Sequence, residues 1–355
     1  MSPVRKSRRK NYRLVSNGVR ILIIGYGKLT RTITAYTKTH LAQIKKVVPQ
    51  AKISLTADPI EVKKLLPDAE IIITSPFLQH LIDLKTAKNL KWIHSSSAGV
   101  TDLAKILLPT KIILTNSSGV HPIPISEHVL AFMLMFARQI HKAHRAQVKE
   151  KRWIKDVEAL APFELASSTV GIVGYGRIGA RVAKVAKALG AKVAALEHKH
   201  KVYKVHNVHK VYKDVGQLLK TSDFVINCLP LTSETAGYFD LKKFRIMSRG
   251  AGSASGGKRS AYFINIGRGK TVVERDLIRA LKENVIAGAG LDVFETEPLP
   301  ENSPLWKFEN VIITPHYSGW TPHYTDRVMD IFCSNLKAYL EKKAMPNLVD
   351  KKKGY

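Results

Sequence analysis

Cysteine and long apolar runs are both scarce in this chain of 355 residues. Its two cysteines, Cys228 and Cys333, lie inside apolar segments without paired spacing. That pattern argues against a disulfide framework and a cysteine-based metal site, and it favours a reducing compartment. No apolar stretch approaches the ~20 residues that a membrane-spanning helix requires, so we expect no membrane partner and a cytoplasmic location.

Acidic residues are also scarce, with 28 against 57 lysines and arginines, and the net charge is +29. Such a charge attracts nucleic acid or anionic surfaces. The excess is nevertheless spread along the whole chain, without a nucleic-acid-binding motif, so we do not predict nucleic acid as a partner. Residues 1–19 carry basic groups and no acid. They are interpreted as a disordered tail, with a short mitochondrial presequence as the alternative.

What the chain has in abundance is an alternation of short β-branched runs with longer helical patterns. This alternation occurs in two series, which predicts an α/β fold of two doubly wound parallel-sheet domains. The predicted strands are 20–25, 52–56, 70–75, 91–95, 111–115, 169–174, 191–197, 223–228, 261–266, 286–292 and 310–314. The predicted helices between them include 59–66, 176–189, 214–221 and 273–283.

A connector rich in Gly, Pro and Ser, residues 116–128, predicts a domain boundary near residue 120. Ser126 is predicted to cap a long helix that is apolar nearly all round, and which packs between domains or across a dimer. An amphipathic helix over about 322–343 follows the last strand and is expected to return to the first unit. The predicted domains are therefore a discontinuous substrate-binding domain, 1–119 with 316–355, and a dinucleotide-binding Rossmann domain, 120–315. The Gly/Ser-rich stretch 248–260 is interpreted as a surface insertion.

Two apolar runs end in the same tripeptide, Gly-Tyr-Gly, at residues 25–27 and 174–176. The second copy completes a dinucleotide fingerprint, with Gly174, Gly176 and Gly179 between a strand and a helix whose N-terminus favours phosphate. Glu197 stands at the end of the next strand, where a carboxylate binds ribose hydroxyls. The first copy has Thr30 in the third position, and its next strand-end acid, Asp58, comes late. One nucleotide site is therefore predicted, at the second copy.

Three side chains downstream suit redox chemistry on an acid. Arg268 directly follows a strand, between Gly267 and Gly269, which we interpret as relaxing its backbone. A guanidinium there suits a bidentate clamp on a carboxylate. His316 also ends a strand, and a carboxylate partner such as Glu297 orients an imidazole that exchanges a proton near neutral pH.

These motifs together resemble the D-isomer-specific 2-hydroxyacid dehydrogenase family, from about residue 20 to 343. The resemblance rests on GYGRIG (174–179), Glu197, CLPLTSET (228–235), INIGRG (264–269), LDVFETEPLP (291–300) and TPH (314–316). The connector and its helix resemble the family's hinge and dimer helix, which implies a homodimer. The resemblance implies a Rossmann domain beside a discontinuous flavodoxin-like substrate domain, with NAD as cofactor and NADP possible.

The resemblance also implies roles for individual residues. Arg268, Glu297 and His316 correspond to a catalytic triad, and Asp292 to a contact with the nicotinamide amide. Backbone amides around Ala98, Gly99 and Val100 would bind the substrate carboxylate together with Arg268. The implied cofactor contacts are Gly174, Gly176, Arg177, Ile178, Gly179, Glu197, Cys228, Pro230, Thr235, Ile266, Asp292, His316 and Gly319. Two departures stand out: the 248–260 insertion, and the absence of an acid directly after Gly99-Val100.

The predicted reaction is the interconversion of a small-molecule 2-oxo acid with the D-2-hydroxy acid, by hydride transfer with His316 as proton donor. Tyr317 and Trp320 predict an apolar pocket, which favours aliphatic and aromatic 2-oxo acids over 3-phosphohydroxypyruvate. A phosphoglycerate dehydrogenase-type enzyme and a non-enzymatic NAD(H)-sensing corepressor stay open as alternatives. The histidine cluster at 197–210 is interpreted as solvated and not as a metal site, although Lys199 or Lys201 could meet a 2′-phosphate.

Overall fold

The computed structural model describes residues 18–27, 35–197, 207–247 and 260–354. Its contacts divide the chain into two compact units, one of residues up to Val120 with those from Thr321 on, the other from His121 to Trp320. These boundaries, 120/121 and 320/321, compare with 119/120 and 315/316 expected from the sequence. The basic residues 1–17, His198–His206 of the histidine cluster and residues 248–259 of the insertion lie outside the described residues.

The first unit is built on a sheet of five parallel strands in the order β2-β1-β3-β4-β5. This is the flavodoxin-like order, as predicted. Its strands are β1 (Arg20–Ile24), β2 (Lys52–Thr56), β3 (Ile71–Thr74), β4 (Trp92–Ser95) and β5 (Ile113–Thr115). Its helices are α1 (Lys38–Val47), α2 (Pro59–Leu65), α3 (Thr101–Leu107) and, from the far end of the chain, α10 (Tyr324–Leu340).

Alternation along each strand places apolar side chains on both faces of this sheet. Ile21 and Ile23 face α1 and α10, where Phe332 of α10 joins the same core. Leu22 and Ile24 face the opposite side and pack with α2 and α3. A sheet covered on both faces explains why its strands read as nearly continuous apolar runs.

The second unit contains seven parallel strands in the order β12-β11-β10-β9-β6-β7-β8. The strands are β6 (Thr169–Val173), β7 (Lys192–Leu196), β8 (Lys210–Tyr212), β9 (Phe224–Asn227), β10 (Tyr262–Asn265), β11 (Gly288–Leu291) and β12 (Val311–Ile313). The helices are α4 (Pro122–Ala137), α5 (Ile140–Arg145), α6 (Arg177–Ala188), α7 (Val215–Thr221), α8 (Leu241–Met247) and α9 (Glu274–Lys282). The strand order reverses at β6, the topological switch point where such sheets bind ligands.

Every strand expected from the sequence is present, and the structure adds β8, whose three residues are too few and too polar to give a periodic signal. The helix expected from Ser126 is displaced. It begins at Pro122, and the Ser126 hydroxyl donates to the Ile123 carbonyl within the helix. The N-cap assignment was wrong because a proline is favoured in a first turn, where its missing N–H costs nothing. Gln139, in the left-handed region, separates α4 from α5.

The second sheet also has a core on each face. Helices α4 and α6 pack on one side against Val170, Ile172 and Ile226. Helices α7, α8 and α9 pack on the other against Val225 and Phe263. The buried residues of α4 form one helical stripe and Ala131 is exposed, so the packing of α4 between domains or across a dimer stays a prediction. Within the described ranges, no helix combines the length and the apolar character that a membrane crossing needs.

Candidate active site

The second Gly-Tyr-Gly turn joins β6 to α6 at the switch point. Gly174 lies in the left-handed region, with φ +100°, and a Cβ there would stand 2.7 Å from the Cys228 carbonyl carbon. The Gly176 N–H donates to the Gly174 carbonyl at 2.9 Å, and Gly176 is the N-cap of α6. Only glycine combines this backbone conformation with this close approach to β9.

The other two glycines of the fingerprint have different roles. A Cβ at Gly179 would meet the Gly174 carbonyl oxygen at 2.6 Å, so this glycine lets α6 pack against the turn. A Cβ at Gly176 would meet nothing within 4 Å. The space beside Gly176 therefore lies open in front of the N-terminus of α6, where the first N–H groups of a helix attract an anion. These residues fit a dinucleotide pyrophosphate.

The remaining predicted cofactor residues follow the same edge of the sheet, because the carboxyl ends of parallel strands lie together. Glu197 is exposed directly after β7, and its N–H donates to the Tyr212 carbonyl of β8 at 2.8 Å. Cys228 follows β9, and burial raises the pKa of its thiol to about 12. Ile266, after β10, is buried. The Thr235 hydroxyl donates to the Pro230 carbonyl, so this side chain stabilises its own loop.

His316 and Glu297 form a direct pair after β12 and β11. The His316 Nδ1 lies 2.6 Å from Glu297 Oε2, and the other oxygen of Glu297 accepts the Phe294 N–H at 3.0 Å. The carboxylate is therefore held from both sides, and the imidazole is oriented through Nδ1. The side chains are 49% and 35% exposed, so Nε2 of His316 is the ring atom available to exchange a proton with a ligand.

Arg268 is exposed in the loop after β10, where its Nη1 donates to the Gly267 carbonyl at 2.7 Å. Our interpretation that the flanking glycines relax its backbone was wrong. Arg268 has ordinary extended angles, and neither glycine is in the left-handed region. A Cβ at Gly267 would stand 2.6 Å from the Leu229 carbonyl oxygen, and one at Gly269 would overlap the Phe294 carbonyl. The two glycines therefore let the Arg268 loop pack against its neighbours, including the loop that carries Glu297.

Asp292 has a structural task that the sequence did not reveal. It is 1% exposed, and its Oδ1 accepts the Thr314 hydroxyl at 2.6 Å and the Tyr317 N–H at 3.1 Å. Its Oδ2 accepts the Ser318 N–H at 3.1 Å. Both carboxylate oxygens thus stabilise the turn that contains His316. His316 is in the left-handed region, with φ +52°. The sequence did not indicate the role of His128 on α4, because an isolated polar residue in an apolar helix gives no signal of its partner.

At the end of the same turn, the Gly319 carbonyl lies 3.1 Å from His121 Nδ1, and a Cβ at Gly319 would strike this ring at 2.8 Å. Tyr317 and Trp320 are 46% and 66% exposed. Both aromatic rings are therefore exposed, and their role in lining a substrate pocket stays a prediction.

The residues expected to bind the substrate carboxylate lie in the first unit, between β4 and α3. The Ala98 carbonyl accepts from the Asn116 side chain at 3.0 Å, and the Val100 carbonyl begins α3 by accepting the Ala104 N–H. A Cβ at Gly99 would meet nothing within 4 Å. The backbone at Gly99 is therefore open to a ligand.

The histidine cluster contributes one described member to the fold. The Val193 N–H donates to Nδ1 of His209 at 3.0 Å, and the His209 N–H donates to the Val193 carbonyl. His209 thus anchors the entry to β8. Among the described residues, no group of three or more His, Cys, Asp or Glu side chains is arranged to hold a metal ion.

Known proteins share both the sequence pattern and the architecture. A sequence model described as the D-isomer specific 2-hydroxyacid dehydrogenase NAD binding domain matches residues 130–318. A glyoxylate reductase of Thermofilum pendens is 35% identical over 273 residues, 76% of this chain and 77% of that protein. A D-3-phosphoglycerate dehydrogenase of Archaeoglobus fulgidus is 34% identical over 67% of this chain but only 43% of its own length.

Similarity to solved structures extends over both units. The NADPH-dependent glyoxylate/hydroxypyruvate reductase of Sinorhizobium meliloti, solved with NADP and sulfate, is 26% identical with a TM-score of 0.72. The match covers 95% of this chain and 100% of that one. Together with the open Gly176 turn, these similarities identify NAD(P) as the cofactor of the second unit. The matched domain spans more than half of the sequence, and this chain belongs to the D-isomer specific 2-hydroxyacid dehydrogenase family.

Proposed function

We propose that this chain is an NAD(P)H-dependent reductase that converts a 2-oxo acid into the D-2-hydroxy acid. The observation that carries the proposal is the His316–Glu297 pair, at the same sheet edge as the dinucleotide turn. An imidazole held through Nδ1 by a carboxylate keeps its Nε2 oriented for proton donation. The relatives named as glyoxylate reductases support a small 2-oxo acid as the substrate.

The roles of the three side chains follow from their positions. Arg268, exposed and anchored at its backbone, holds the substrate carboxylate and polarises the 2-oxo group. NAD(P)H, when bound at the dinucleotide turn, would supply the hydride for reduction at C2. His316 donates its Nε2 proton to the carbonyl oxygen, and Glu297 stabilises the imidazolium before that transfer. The binding of a substrate carboxylate by backbone amides near Gly99 stays a prediction of the sequence.

The substrate side chain is proposed to be small or apolar. Tyr317 and Trp320 offer exposed aromatic rings directly after His316, with no cationic group between them. A phosphorylated substrate requires dedicated lysines or arginines, and the 95–102 segment contains none. We therefore expect glyoxylate and short aliphatic or aromatic 2-oxo acids to be preferred over 3-phosphohydroxypyruvate. The reverse preference would indicate a phosphoglycerate dehydrogenase.

The test is His316→Ala, assayed with a panel of 2-oxo acids and both reduced cofactors. Loss of the proton donor is expected to lower kcat by about 10²–10⁴-fold while leaving NADH binding nearly unchanged. His144→Ala, an exposed histidine on α5, is the matched control and should retain the wild-type kcat. An active His316→Ala enzyme would contradict the triad. Absence of turnover across the whole panel would instead favour the NAD(H)-sensing alternative.

A homodimer is also proposed, because four apolar side chains are exposed in the segment after α4: Ile140, Val148, Trp153 and Val157. Trp153, 86% exposed, has the largest area to bury against a second copy. Sedimentation equilibrium should show a dimer, and Trp153→Glu should weaken it. A monomeric wild-type protein at micromolar concentration would contradict this proposal.

A further inference from the structure

His128, on the first half of α4, has no role in the reaction described so far. Its side chain is 13% exposed, with Nε2 only 3.0 Å from the Thr314 hydroxyl oxygen. Its ring also meets two aromatic rings edge-on, Phe132 with centroids 4.6 Å apart and Tyr317 at 5.3 Å. His128 thus contacts both sides of His316 in sequence, at Thr314 before it and Tyr317 after it.

The direction of the hydrogen bonds follows from the inventory of donors. Asp292 accepts backbone N–H groups on both oxygens, so its bond to Thr314 requires the hydroxyl proton. Thr314 has a single proton to give, and its oxygen must therefore accept from His128. The chain of donation thus runs from His128 Nε2–H to Thr314 and on to Asp292. Burial lowers the pKa of His128, which favours the neutral ring, although the nearby Asp292 opposes that shift. The bond to Thr314 then assigns the single ring proton to Nε2.

This chain of hydrogen bonds ends on the 314–318 turn, which orients the proposed proton donor, His316. Asp292 holds the N–H groups of Tyr317 and Ser318, and His316 between them and Thr314 has φ +52°. A non-glycine residue keeps such a backbone conformation only where its surroundings enforce it. The surroundings here are the Asp292 carboxylate on one side and the His128 ring on the other.

We propose that His128 is a positioning residue, which orients His316 by donating to Thr314 and by packing against Tyr317. This inference rests on the proposed function, in which His316 is the proton donor. Misplacing a reacting group by about 1 Å costs about 100-fold in rate. Losing the His128 contacts should therefore reduce kcat while leaving the dinucleotide turn intact.

The test compares His128→Leu, which removes the donor at similar volume, with Thr314→Val, which removes the hydroxyl and keeps the shape. Each is expected to lower kcat for glyoxylate by about 10–100-fold, with KM and NADH affinity within about 3-fold. The double variant should be no slower than either single variant, because both break one chain. His128→Gln, whose amide N–H still donates, should recover most of kcat.

His141→Leu is the matched control. This ring is also partly buried in the second unit, edge-on to Phe136 and bonded to the Met135 carbonyl, and burial lowers its pKa as well. It should leave kcat within about 2-fold of the wild type, since it lies outside the chain of bonds to Asp292. Unchanged kcat in a folded His128→Leu protein, additive effects in the double variant or no recovery with Gln would each overturn the proposal.

A readout that needs no turnover separates this inference from the proposed function. NMR of the protein labelled at histidine nitrogens follows the His316 ring, assigned from His316→Ala. His128→Leu should shift the His316 resonances, and His141→Leu should not. If the wild type reduces no 2-oxo acid, the proposed function fails, whereas unmoved His316 resonances in His128→Leu overturn the positioning role.

Discussion

The two sheets of this chain begin alike, with an apolar strand that ends in Gly-Tyr-Gly, and the two turns differ at the first glycine and at the tyrosine. Gly174 requires the left-handed region and touches the backbone of β9. Gly25 is outside that region, and a Cβ there would stand 2.6 Å from the Tyr36 ring. The first glycine of one copy forms a turn, whereas that of the other makes room for an aromatic ring.

The tyrosines differ in the same way. Tyr175 is 9% exposed and belongs to the core between α4, α6 and the sheet, where burial raises the pKa of its hydroxyl. Tyr26 is 44% exposed. In the second copy Gly174 is in the left-handed region and α6 begins directly after Gly176, whereas Gly25 is outside that region. The context of the tripeptide decides its function.

The largest expected difference between the turns is in cofactor binding. Gly176 and Gly27 both have open space where a Cβ would stand, and Gly176 has an extended backbone that valine tolerates. Gly176→Val should fold normally and weaken NADH binding more than about 100-fold, because the side chain occupies the pyrophosphate position. Gly27→Val should bind as the wild type does. Protein fluorescence during NADH titration measures both affinities.

An equal loss of NADH affinity in both variants, with circular dichroism spectra like the wild type, would contradict the assignment of a single nucleotide site. Retained affinity in Gly176→Val would mean that the pyrophosphate lies elsewhere along the sheet edge. Either outcome would remove the functional difference between the turns.

The sequence predicts the sheets well because buried parallel strands must be apolar on both faces. The Ile-rich runs 21–24 and 71–73 have no other stable place than such a sheet. Prediction from the sequence fails where a residue pairs with another residue that is distant in the chain. His128 meets Thr314 across 186 positions, and no local pattern of α4 encodes that bond. Ser126 fails for a different reason, since Pro122 and Ser126 both favour a helix start and only packing chooses between them.

The candidate site also has features that the sequence predicts and features that it does not. Glu297 and His316 were predicted as a pair because a proton-exchanging imidazole benefits from a carboxylate partner and the family resemblance implied that this partner is Glu297. The reason for Gly269 was not predictable, because it depends on the approach of the Phe294 carbonyl from the next loop. Asp292 was expected to face the cofactor, whereas its bonds to the 314–318 turn become visible only in three dimensions.

Acid should destabilise the first sheet more than the second. His94 of β4, fully buried in the first unit, has its pKa lowered by burial to about 3. Its Nδ1 lies 2.7 Å from the Thr115 hydroxyl and its Nε2 3.1 Å from that of Ser117. Because the folded pKa lies below the unfolded value near 6.5, its contribution to stability is complete above pH 6.5 and is lost as pH falls toward 3. At pH 4.5 the loss is about 3 kcal/mol.

Hydrogen exchange at pH 7 and pH 4.5, corrected for intrinsic rates, measures the loss of stability in each sheet. Strands β3 and β4 should lose more protection than β9 and β10. The partly buried His128 and His141 of the second unit also have lowered pKa values, so a smaller loss is expected there. Equal losses in both sheets would show that His94 does not set the acid stability of the first unit.

Replacing the first glycine of each tripeptide should lower the free energy of unfolding by different amounts, and this difference is smaller than the one expected in acid. Gly174→Ala forces a side chain into the left-handed region and against backbone atoms, which should cost about 3 kcal/mol of unfolding free energy. Gly25→Ala meets only the Tyr36 ring, and we expect about 1–2 kcal/mol. Urea unfolding of both variants measures the difference. A larger cost at Gly25 would reverse the assignment of the two structural roles.

The smallest difference concerns the acids after the second strand of each sheet. Asp58 caps α2, accepting the N–H groups of Ile60 and Glu61 at 2.7 and 3.0 Å, so Asp58→Ala should cost about 1 kcal/mol of stability and leave cofactor choice unchanged. Glu197 is exposed at the carboxyl end of β7, where we expect its charge to repel a 2′-phosphate. The wild type should therefore favour NADH over NADPH modestly, and Glu197→Gln should shift kcat/KM toward NADPH by about 5–10-fold, a change of about 1 kcal/mol. A wild type that strongly prefers NADPH would mean that the basic residues behind Glu197 outweigh its carboxylate. A shift of equal size in Asp58→Ala would place the ribose site in the wrong sheet.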